Sequence, residues 1–465
     1  MIARFRHFWI SGLLAAVLAA PAVAETRVPE SRAEIALSFA PLVREATPAV
    51  VNIYASRVVS TPQSPFAGNP FFEDFFRDFG AARPRVENSL GSGVILSPDG
   101  ILVSNYHVVG QATEIRAVLN DRREFAARVL LADRDSDLAI LQLEGASDMP
   151  FLDLRDSDKV EVGELVLAIG NPFGVGQTVT SGIISGLARS GGVGSQGRSY
   201  FIQTDAPINP GNSGGALIDM TGRLIGVNTA ILSRSGGSQG IGFAIPANLV
   251  AQFVKQARNG NDRFERPWAG MSGQPVEADV AEALGMAIPE GILVTDLHPS
   301  SPFTRVGVEP GDVILSVDGQ PVNTPAEMIF RMSVAGIGAE ARVERFRAGQ
   351  IHDLVLQMVP PPEDPPRETT AIPLDLPFGG MVIANTNPAL LSELGLDLRS
   401  GGVVVVDPGS AGGRAGLARG DLLQRVNGKR IERPDDVELA LRLSRGSLII
   451  EAERAGRRLI FRFSI

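Results

Sequence analysis

One serine stands in a glycine-rich run that is suited to nucleophilic catalysis. Ser213 lies within Gly211–Gly215, between apolar segments with the composition of strands. Glycine permits backbone conformations that turn consecutive N–H groups toward one small concavity beside the hydroxyl. Such a concavity can bind an oxyanion, and we assign it to the amides of Gly211 and Ser213, with Asn212 as an additional donor.

A serine nucleophile requires a histidine base, and the chain has four histidines. His7 lies in the N-terminal leader, while His298 and His352 lie in a C-terminal region of different character. His107 remains, and it lies in the largely apolar run 100–109, which places it at the end of a predicted strand. We therefore predict that His107 is the general base.

The acid that orients the histidine is expected in the segment 133–137. Asp137 is the preferred candidate because it directly precedes the apolar run 138–143, whereas Asp133 and Asp135 lie in a polar turn. The resulting chain order is histidine, aspartate, serine. This order is typical of the chymotrypsin-type double barrel and differs from that of subtilisins and α/β-hydrolases.

Four sequence blocks resemble those of the HtrA (Deg) serine proteases. Three of the blocks contain the candidate residues, and they are 104–109, 136–141 and 211–217. The fourth is the segment 168–174. The resemblance extends from about residue 35 to the C-terminus. It implies a mostly β protein with a chymotrypsin-like double β-barrel protease domain at 35–257, a regulatory loop at about 57–87, and two α+β PDZ domains.

The strand pattern agrees with that fold class. Short runs rich in valine, isoleucine and leucine alternate with turn residues, which indicates a barrel or sandwich. The runs expected to form strands are 93–97, 101–104, 165–169, 223–228 and 241–245. Apolar spacing in Asn248–Val254 predicts a helix that closes the domain.

The C-terminal half contains an internal repeat. Gly311-Asp312 and Gly420-Asp421 are 109 residues apart, and each pair opens an apolar strand that ends in a tight Asp-Gly or Asn-Gly turn. The pattern resembles PDZ domains, which we place at 265–360 and 373–465. The Pro-rich segment 361–372 is predicted to be an extended linker.

In PDZ domains an extended peptide adds to a sheet edge, and a loop of backbone N–H groups binds its terminal carboxylate. By resemblance, the loop residues of the two repeats are Trp268, Ala269, Gly270 and Met271, and Phe378, Gly379, Gly380 and Met381. Ordinary strand starts are the alternative interpretation of both segments.

The substrate-binding prediction concerns residues near the nucleophile. We expect the substrate to lie extended along Ile241, Gly242, Phe243 and Ala244, where a glycine allows close backbone approach. By resemblance, Ile208 and Ile231 line the specificity pocket with the loop 233–240. No acid stands where a pocket for Lys or Arg would need one, so cleavage after small or medium aliphatic residues is predicted.

The leader and the composition predict export. Arg4 and Arg6 precede an apolar stretch and the small residues 22–24, the pattern of a cleaved signal peptide at 1–24. An uncleaved anchor is the alternative. The chain has 465 residues, no cysteine and a formal charge of −9, so its stability must come from packed cores, and nothing favours nucleic-acid binding.

Other motifs indicate no cofactor. The Gly-x-Gly-x-x-Gly run at 192–197 precedes a strand pattern rather than a helix, so no nucleotide site is expected. Without cysteine or a His-Glu-x-x-His motif, no metal site is expected. The phenylalanine-rich segment 65–85 is either a surface loop with local packing or, by resemblance, the regulatory loop. Phe173 is a candidate contact in the homotrimer or higher homo-oligomer that the resemblance implies.

These features predict an ATP-independent periplasmic serine endopeptidase that degrades unfolded or misfolded envelope proteins, with PDZ domains that bind substrate peptides or regulate activity. A chaperone or peptide-binding scaffold with secondary proteolysis is the alternative. A non-protease barrel hydrolase is a weaker third hypothesis, because it leaves the peptide-binding repeats unexplained.

Overall fold

The computed structural model describes residues 38–59, 85–170, 177–190, 200–209, 211–231 and 240–464. The predicted leader, most of the regulatory loop, Phe173 and the glycine run 192–197 lie outside the described residues. The chain divides into two units, Met1–Arg44 and Glu45–Ile465. Helix α1 (Ala40–Ala46) covers the boundary between them.

Two closed antiparallel barrels form the first half of the second unit. The strand order is β1-β2-β3-β6-β5-β4 in the first barrel and β10-β11-β12-β9-β8-β7 in the second. The first barrel comprises β1 (Val50–Val59), β2 (Arg85–Ile95), β3 (Ile101–Ser104), β4 (Glu114–Val118), β5 (Glu124–Asp133) and β6 (Leu138–Leu143). The second comprises β7 (Leu165–Gly170), β8 (Thr178–Ser190), β9 (Tyr200–Thr204), β10 (Ala216–Ile218), β11 (Leu224–Ile231) and β12 (Gly242–Pro246).

Helices are few in this half. Helix α2 (Tyr106–Val109) follows β3, helix α3 (Ala247–Arg258) follows β12, and two 3₁₀ turns lie at Thr47–Ala49 and Ser157–Lys159. The expected strands and the closing helix are therefore confirmed, with small shifts of their ends. The mostly β fold class with a double barrel is also confirmed.

Each barrel encloses its own apolar core. Ile53, Leu102 and Leu141 are completely buried in the first, and Val166 and Leu217 are buried in the second. Because alternate strand residues point inward, these small barrels are filled by side chains. The cleft between the barrels is left to the polar residues described below.

The C-terminal half contains two similar α+β repeats. The first repeat has the sheet order β13-β14-β15-β17-β18, with β16 beside β15. Its elements are β13 (Met271–Pro275), α4 (Ala278–Leu284), β14 (Ile292–Leu297), α5 (Pro302–Arg305), β15 (Val313–Val317), β16 (Gln320–Pro321), α6 (Pro325–Ala335), β17 (Glu340–Arg347) and β18 (Gln350–Gln357).

The second repeat has the order β19-β20-β21-β22-β24-β25, with β23 beside β22. Its elements are β19 (Thr370–Ala371), β20 (Val382–Asn385), α7 (Pro388–Leu394), β21 (Val403–Asp407), α8 (Gly409–Arg414), β22 (Leu422–Val426), β23 (Lys429–Arg430), α9 (Pro434–Leu443), β24 (Ser447–Arg454) and β25 (Arg457–Ser464). The segment expected to be a linker contains strand β19. Since β19 pairs with β20, this end of the segment belongs to the second sheet.

The first repeat packs against the second barrel through α6. The ring of Phe330 stacks on Tyr200 of β9 with a centroid distance of 3.9 Å. Arg331 donates to the Tyr200 hydroxyl (2.8 Å) and forms an ion pair with Asp158. Aromatic stacking together with a largely buried ion pair fixes this contact.

Candidate active site

The nucleophile loop connects β9 to β10 and needs its glycines. Gly211 and Gly214 have φ values of 100° and 82°, which residues with a Cβ rarely adopt. A Cβ on Gly214 would lie only 2.1 Å from the Ser92 carbonyl oxygen. The Ser213 hydroxyl donates to the Thr229 carbonyl oxygen at 3.0 Å, and among the described residues it makes no hydrogen bond to His107.

Two buried serines of the first barrel hold this loop. The Ser92 N–H donates to the Ser213 carbonyl oxygen (2.9 Å), and the Ser92 hydroxyl donates to the Gly211 carbonyl oxygen (2.7 Å). The Ser104 hydroxyl in turn donates to the Ser92 carbonyl oxygen at 2.7 Å. The nucleophile loop, which belongs to the second barrel, is thereby fixed against the first.

His107 lies in the short helix α2, and its ring meets Asp137. Its Nδ1 is 2.8 Å from Asp137 Oδ2 and 3.0 Å from Oδ1, and its backbone N–H donates to Oδ1 at 3.0 Å. The His107 side chain is half exposed and that of Asp137 is one quarter exposed. An Nδ1–H donor fixes the tautomer in which Nε2 is free to accept a proton.

Asp137 lies in the turn between β5 and β6, with φ of 53°. Its carbonyl oxygen accepts hydrogen bonds from the Asn105 amide (2.9 Å) and the Tyr106 N–H (3.1 Å). The start of helix α2 is thus attached to both the backbone and the carboxylate of Asp137. The structure brings His107 and Asp137 together as the sequence predicted.

Thr229 is a site residue that the sequence did not reveal. Its hydroxyl donates to Asp137 Oδ2 at 2.5 Å, and its carbonyl oxygen accepts the Ser213 hydroxyl. The Asp137 carboxylate therefore accepts hydrogen bonds from three donor groups, two of His107 and one of Thr229. A threonine in an apolar strand carries no local signal of this role, since its partners come from distant turns.

The three predicted oxyanion donors differ in whether their N–H groups are available. Among the described residues, the Gly211 and Ser213 N–H groups have no acceptor, so both remain candidate donors. The Asn212 N–H instead donates to the Asn209 carbonyl oxygen at 2.9 Å. The Asn212 side chain is completely buried, and a Cβ on Gly170 would lie 2.7 Å from its Oδ1. Asn212 is thus a turn residue whose N–H is already occupied, so the prediction that it is an oxyanion donor is corrected.

The predicted substrate strand is also corrected. Within β12, Gly242, Phe243 and Ala244 pair with β11 on one side and with β9 on the other, so no backbone edge is left for a peptide. Ile241 precedes that strand. Among the described strands, an open edge occurs instead in β11, where residues 229–231 lie beyond the end of the β10 pairing. This edge starts at Thr229, beside the Ser213 hydroxyl.

The pocket candidates meet at Gly242. Ile208 is buried, and its Cγ1 lies 2.6 Å from where a Cβ on Gly242 would be. Phe243 packs against Phe201 with a ring distance of 5.7 Å. The Ile231 side chain and most of the loop 233–240 lie outside the described residues. Ile208 thus fills the space that the glycine leaves.

The loop of the first repeat leads into an open sheet edge. Trp268 and Ala269 are buried, Gly270 has φ of 59°, and its carbonyl oxygen accepts the His298 N–H at 2.8 Å. Met271 begins β13, which pairs with β14 alone among the described strands. Its other edge is available for an added strand.

The second repeat differs because its own chain covers the corresponding edge. Thr370 and Ala371 of β19 pair with β20. Ile372 continues this pairing: its N–H donates to the Met381 carbonyl oxygen (2.8 Å), and its carbonyl oxygen accepts the Gly380 N–H (2.9 Å). Its side chain is buried in the domain core with Leu441 of α9. Phe378, Gly379, Gly380 and Met381 therefore surround a segment of their own chain.

Within the described part of the chain, no three histidine, aspartate or glutamate side chains are grouped closely enough to hold a metal ion. The same part contains no helix of the length and apolarity that a membrane crossing requires.

Known protein families match the three parts of the chain. Residues 91–227 match the trypsin-like peptidase domain, and residues 252–357 and 402–451 each match the PDZ domain. The first match contains His107, Asp137 and Ser213. The second begins within α3 and covers the first repeat, and the third lies in the second repeat.

Similar proteins match along most of the chain. The periplasmic pH-dependent serine endoprotease DegQ of Escherichia coli (strain K12) is 37% identical over 401 residues, 85% of this chain and 84% of that protein. The periplasmic serine endoprotease DegP of the same organism is 33% identical over 446 residues, 89% of this chain and 91% of that protein. A solved structure of the HtrA-type protease AlgW with a decapeptide has a TM-score of 0.52 and 39% identity, and covers 70% of this chain and 99% of AlgW.

Proposed function

Because the chain belongs to the HtrA family of DegP- and DegQ-like serine endoproteases, we propose that it degrades unfolded or misfolded envelope proteins in the periplasm without ATP or metal. The observation that carries the proposal is the hydrogen-bonded chain from His107 through Asp137 and Thr229 to Ser213. We also propose export by a signal peptide at 1–24, domains at 35–257, 265–360 and 373–465, and a homotrimer or higher homo-oligomer.

The mechanism begins with rotation of the Ser213 hydroxyl. In this structure the hydroxyl donates to the Thr229 carbonyl oxygen, so it must turn toward His107 before it can transfer its proton. His107 Nε2 then accepts that proton as Ser213 Oγ attacks the peptide carbonyl carbon. Asp137 stabilises the imidazolium, and the Gly211 and Ser213 amides bind the oxyanion.

Collapse of the tetrahedral intermediate completes acylation. The C–N bond breaks, His107 gives its proton to the leaving amine, and an ester with Ser213 remains. Water then attacks the ester, with His107 again as the base.

The substrate backbone is proposed to pair with the open edge of β11 at 229–231. An added strand there would run past Ser213 and place its scissile carbonyl at the Gly211 and Ser213 amides. Ile208, packed against Gly242, limits the depth of the pocket. We therefore propose that the enzyme cleaves after small or medium aliphatic residues.

Peptide binding outside the active site is assigned to the first PDZ domain. Among the described strands nothing pairs with its outer β13 edge, whereas β19 covers the corresponding edge of the second. A peptide could add to β20 only by displacing Ile372 from the core. The Trp268–Met271 loop is therefore the proposed carboxylate-binding loop, and the second loop has a structural role in this conformation.

The test compares the mature chain with its Ser213→Ala variant on an unfolded, disulfide-free protein, in EDTA and without nucleotide. Fragments from the wild type alone, ending mostly in aliphatic residues, are expected. Loss of the nucleophile should reduce the rate about a millionfold. Gly145→Ala, a change remote from the cleft, is the control that should still cleave.

Two results would contradict the proposal. Equal fragment yields from both proteins would show that Ser213 is not the nucleophile. An absence of fragments at any temperature, with both proteins still suppressing aggregation, would favour the chaperone function instead.

A further inference from the structure

The turn that carries Asp137 is held by an arginine from outside the barrels. Arg266 lies between α3 and β13, in the connection to the first PDZ domain. Its Nη1 donates to Asp133 Oδ1 (3.2 Å), and its Nη2 donates to Asp133 Oδ2 and to the Ser136 hydroxyl (2.7 Å). Asp133 is the last residue of β5, and Ser136 directly precedes Asp137, so one guanidinium joins both ends of the turn.

The backbone of the turn supplies little hydrogen-bonded support of its own. Asp137 has a positive φ of 53°, a region that residues with a Cβ seldom occupy. Its own N–H makes only a long bond of 3.3 Å to the Arg134 carbonyl oxygen. The stronger bond within the turn runs from the Ser136 N–H to Asp133 Oδ2 at 2.8 Å. The Asp133 carboxylate therefore organises the turn, and Arg266 fixes that carboxylate.

Arg266 is itself firmly placed. Its guanidinium lies 5.1 Å from the ring of Phe264, which stacks on Phe253 of α3 at 3.9 Å. Gln256 and Glu265 exchange two hydrogen bonds of 2.8 Å just before it. The chain is thus attached to the protease helix immediately ahead of Arg266.

The environment favours a strong interaction. The side chains of Arg266 and Asp133 are 27% and 16% exposed, so solvent screens this pair less than a surface ion pair. The planar guanidinium can bind two acceptors at once, which a lysine ammonium on a flexible stem cannot do in a fixed geometry.

We infer that Arg266 is a positioning residue for catalysis: by clamping Asp133 and Ser136, it holds the Asp137 carboxylate against His107 Nδ1. Arg266 touches neither His107 nor Ser213, so it acts only through the turn. This role deepens the proteolytic function, on whose active site it rests. A residue of the interdomain connection thereby becomes part of the support for the acid.

The experiment measures two quantities on the full mature chain: kcat and KM for a short peptide, and the rate at which a fluorophosphonate labels Ser213. In Arg266→Ala we expect kcat and the labelling rate to fall about tenfold, less than the roughly hundredfold cost of an ångström of misplacement. The peptide KM should stay unchanged, because the Arg266 guanidinium contacts Asp133, Ser136 and Phe264 and not β11. Arg266→Lys should restore part of the rate.

A double-mutant cycle with Asp133→Ala separates positioning from general stability. If both residues act on one turn, the double variant should be no slower than the slower single variant. Ser136→Ala, which removes one acceptor, should give a smaller decrease. Arg399→Ala is the matched control, because its bidentate partner Asp296 lies far along the chain in the first PDZ domain, and it should retain the wild-type rate.

Distinct results overturn each idea. A wild-type labelling rate in Arg266→Ala would refute the role of Arg266, as would additive losses without rescue by lysine. If Arg266→Ala does not fold, as judged by circular dichroism, wild-type rates in both Arg266→Lys and Ser136→Ala would refute it. Failure of the wild-type protein itself to be labelled would instead refute the proposed protease function.

Discussion

At the scale of single residues, the carboxylate of Asp137 is the centre of the site. It accepts the His107 ring, the His107 backbone and the Thr229 hydroxyl. These donors come from α2 and β11, which belong to different barrels. Correct acid geometry therefore depends on the way the two barrels meet.

The Thr229 hydroxyl should support catalysis measurably. Thr229→Val removes one hydrogen bond to a charged group while it keeps the shape of the side chain. Such bonds contribute about 1.5 kcal/mol or more, so we expect roughly a tenfold fall in kcat with little change in KM. Steady-state kinetics on a chromogenic peptide would measure this.

Thr221→Val is the matched control for that change. Thr221 also donates to a carboxylate, Asp219 Oδ1 at 2.7 Å, but away from the cleft. It should lose stability without losing kcat. Equal kcat values for the two valine variants would contradict the role of Thr229.

At the scale of elements, glycine allows the nucleophile loop to fit between the barrels. Gly214 combines a left-handed φ with a close approach to Ser92, a backbone contact that cannot move aside cheaply. The run 211–215 therefore reflects packing against the first barrel as well as exposure of amides.

Gly214→Ala tests this packing. A left-handed backbone alone costs a residue with a Cβ about 1–2 kcal/mol, and the clash with the Ser92 carbonyl oxygen adds to that cost. We expect loss of phosphonate labelling and a clear fall in melting temperature. In Gly145→Ala, φ is also positive (69°), but no atom of the described residues lies within 4 Å of the added Cβ. Only the cost of the left-handed backbone should therefore appear. Similar melting temperatures for both variants would contradict the packing explanation.

At the scale of the whole molecule, the first PDZ domain is attached to the second barrel by a largely buried cation. Arg331 is 8% exposed and lies 5.0 Å from the Tyr200 ring, with Asp158 as its ionic partner. Removal of one partner from a buried ion pair costs about 3–5 kcal/mol, because it leaves the other charge uncompensated.

Asp158→Asn should therefore loosen the domain contact. We expect faster cleavage of the connection at 259–266 by an added protease, measured in the Ser213→Ala background. Asp121→Asn, which breaks an exposed pair with Arg123, is the control and should leave the cleavage rate unchanged. Equal protection in both variants would show that the aromatic stack alone holds the domains.

An ion pair between Arg399 of the second PDZ domain and Asp296 of the first joins the two domains, and it depends on pH. The hydrogen bond from Arg399 holds the pKa of the Asp296 carboxyl below its usual range. A depressed pKa means that the bridge contributes above the unfolded value and is lost as the pH falls through the lowered one. Opening is therefore expected only below about pH 4, the ordinary range of an aspartate.

A fluorescence energy-transfer pair on the two PDZ domains would measure this opening. Arg399→Ala should show an increased distance between the two domains at neutral pH. The wild type should show that increase only in acid or in high salt, which screens exposed charges. A distance that is the same in both proteins at every pH would contradict the bridge.

Features that short stretches of sequence carry can be predicted without the structure. The strand runs, the closing helix and the repeat were predicted because hydrophobic periodicity and turn residues are local properties. Ser213, His107 and Asp137 are predictable for the same reason, because each lies beside a strand end or in a glycine turn. The family resemblance likewise rests on contiguous blocks.

Which backbone edges are open depends on how distant strands pair, and this requires the folded structure. The sequence could not show that β12 pairs on both sides, that the described strands leave one edge of β11 open at 229–231, or that β19 covers β20, because strand pairing depends on segments far apart in the chain. Thr229 and Arg266 were missed for the same physical reason. Their hydrogen-bond partners are 92 and 133 residues away, and no local pattern encodes such a contact.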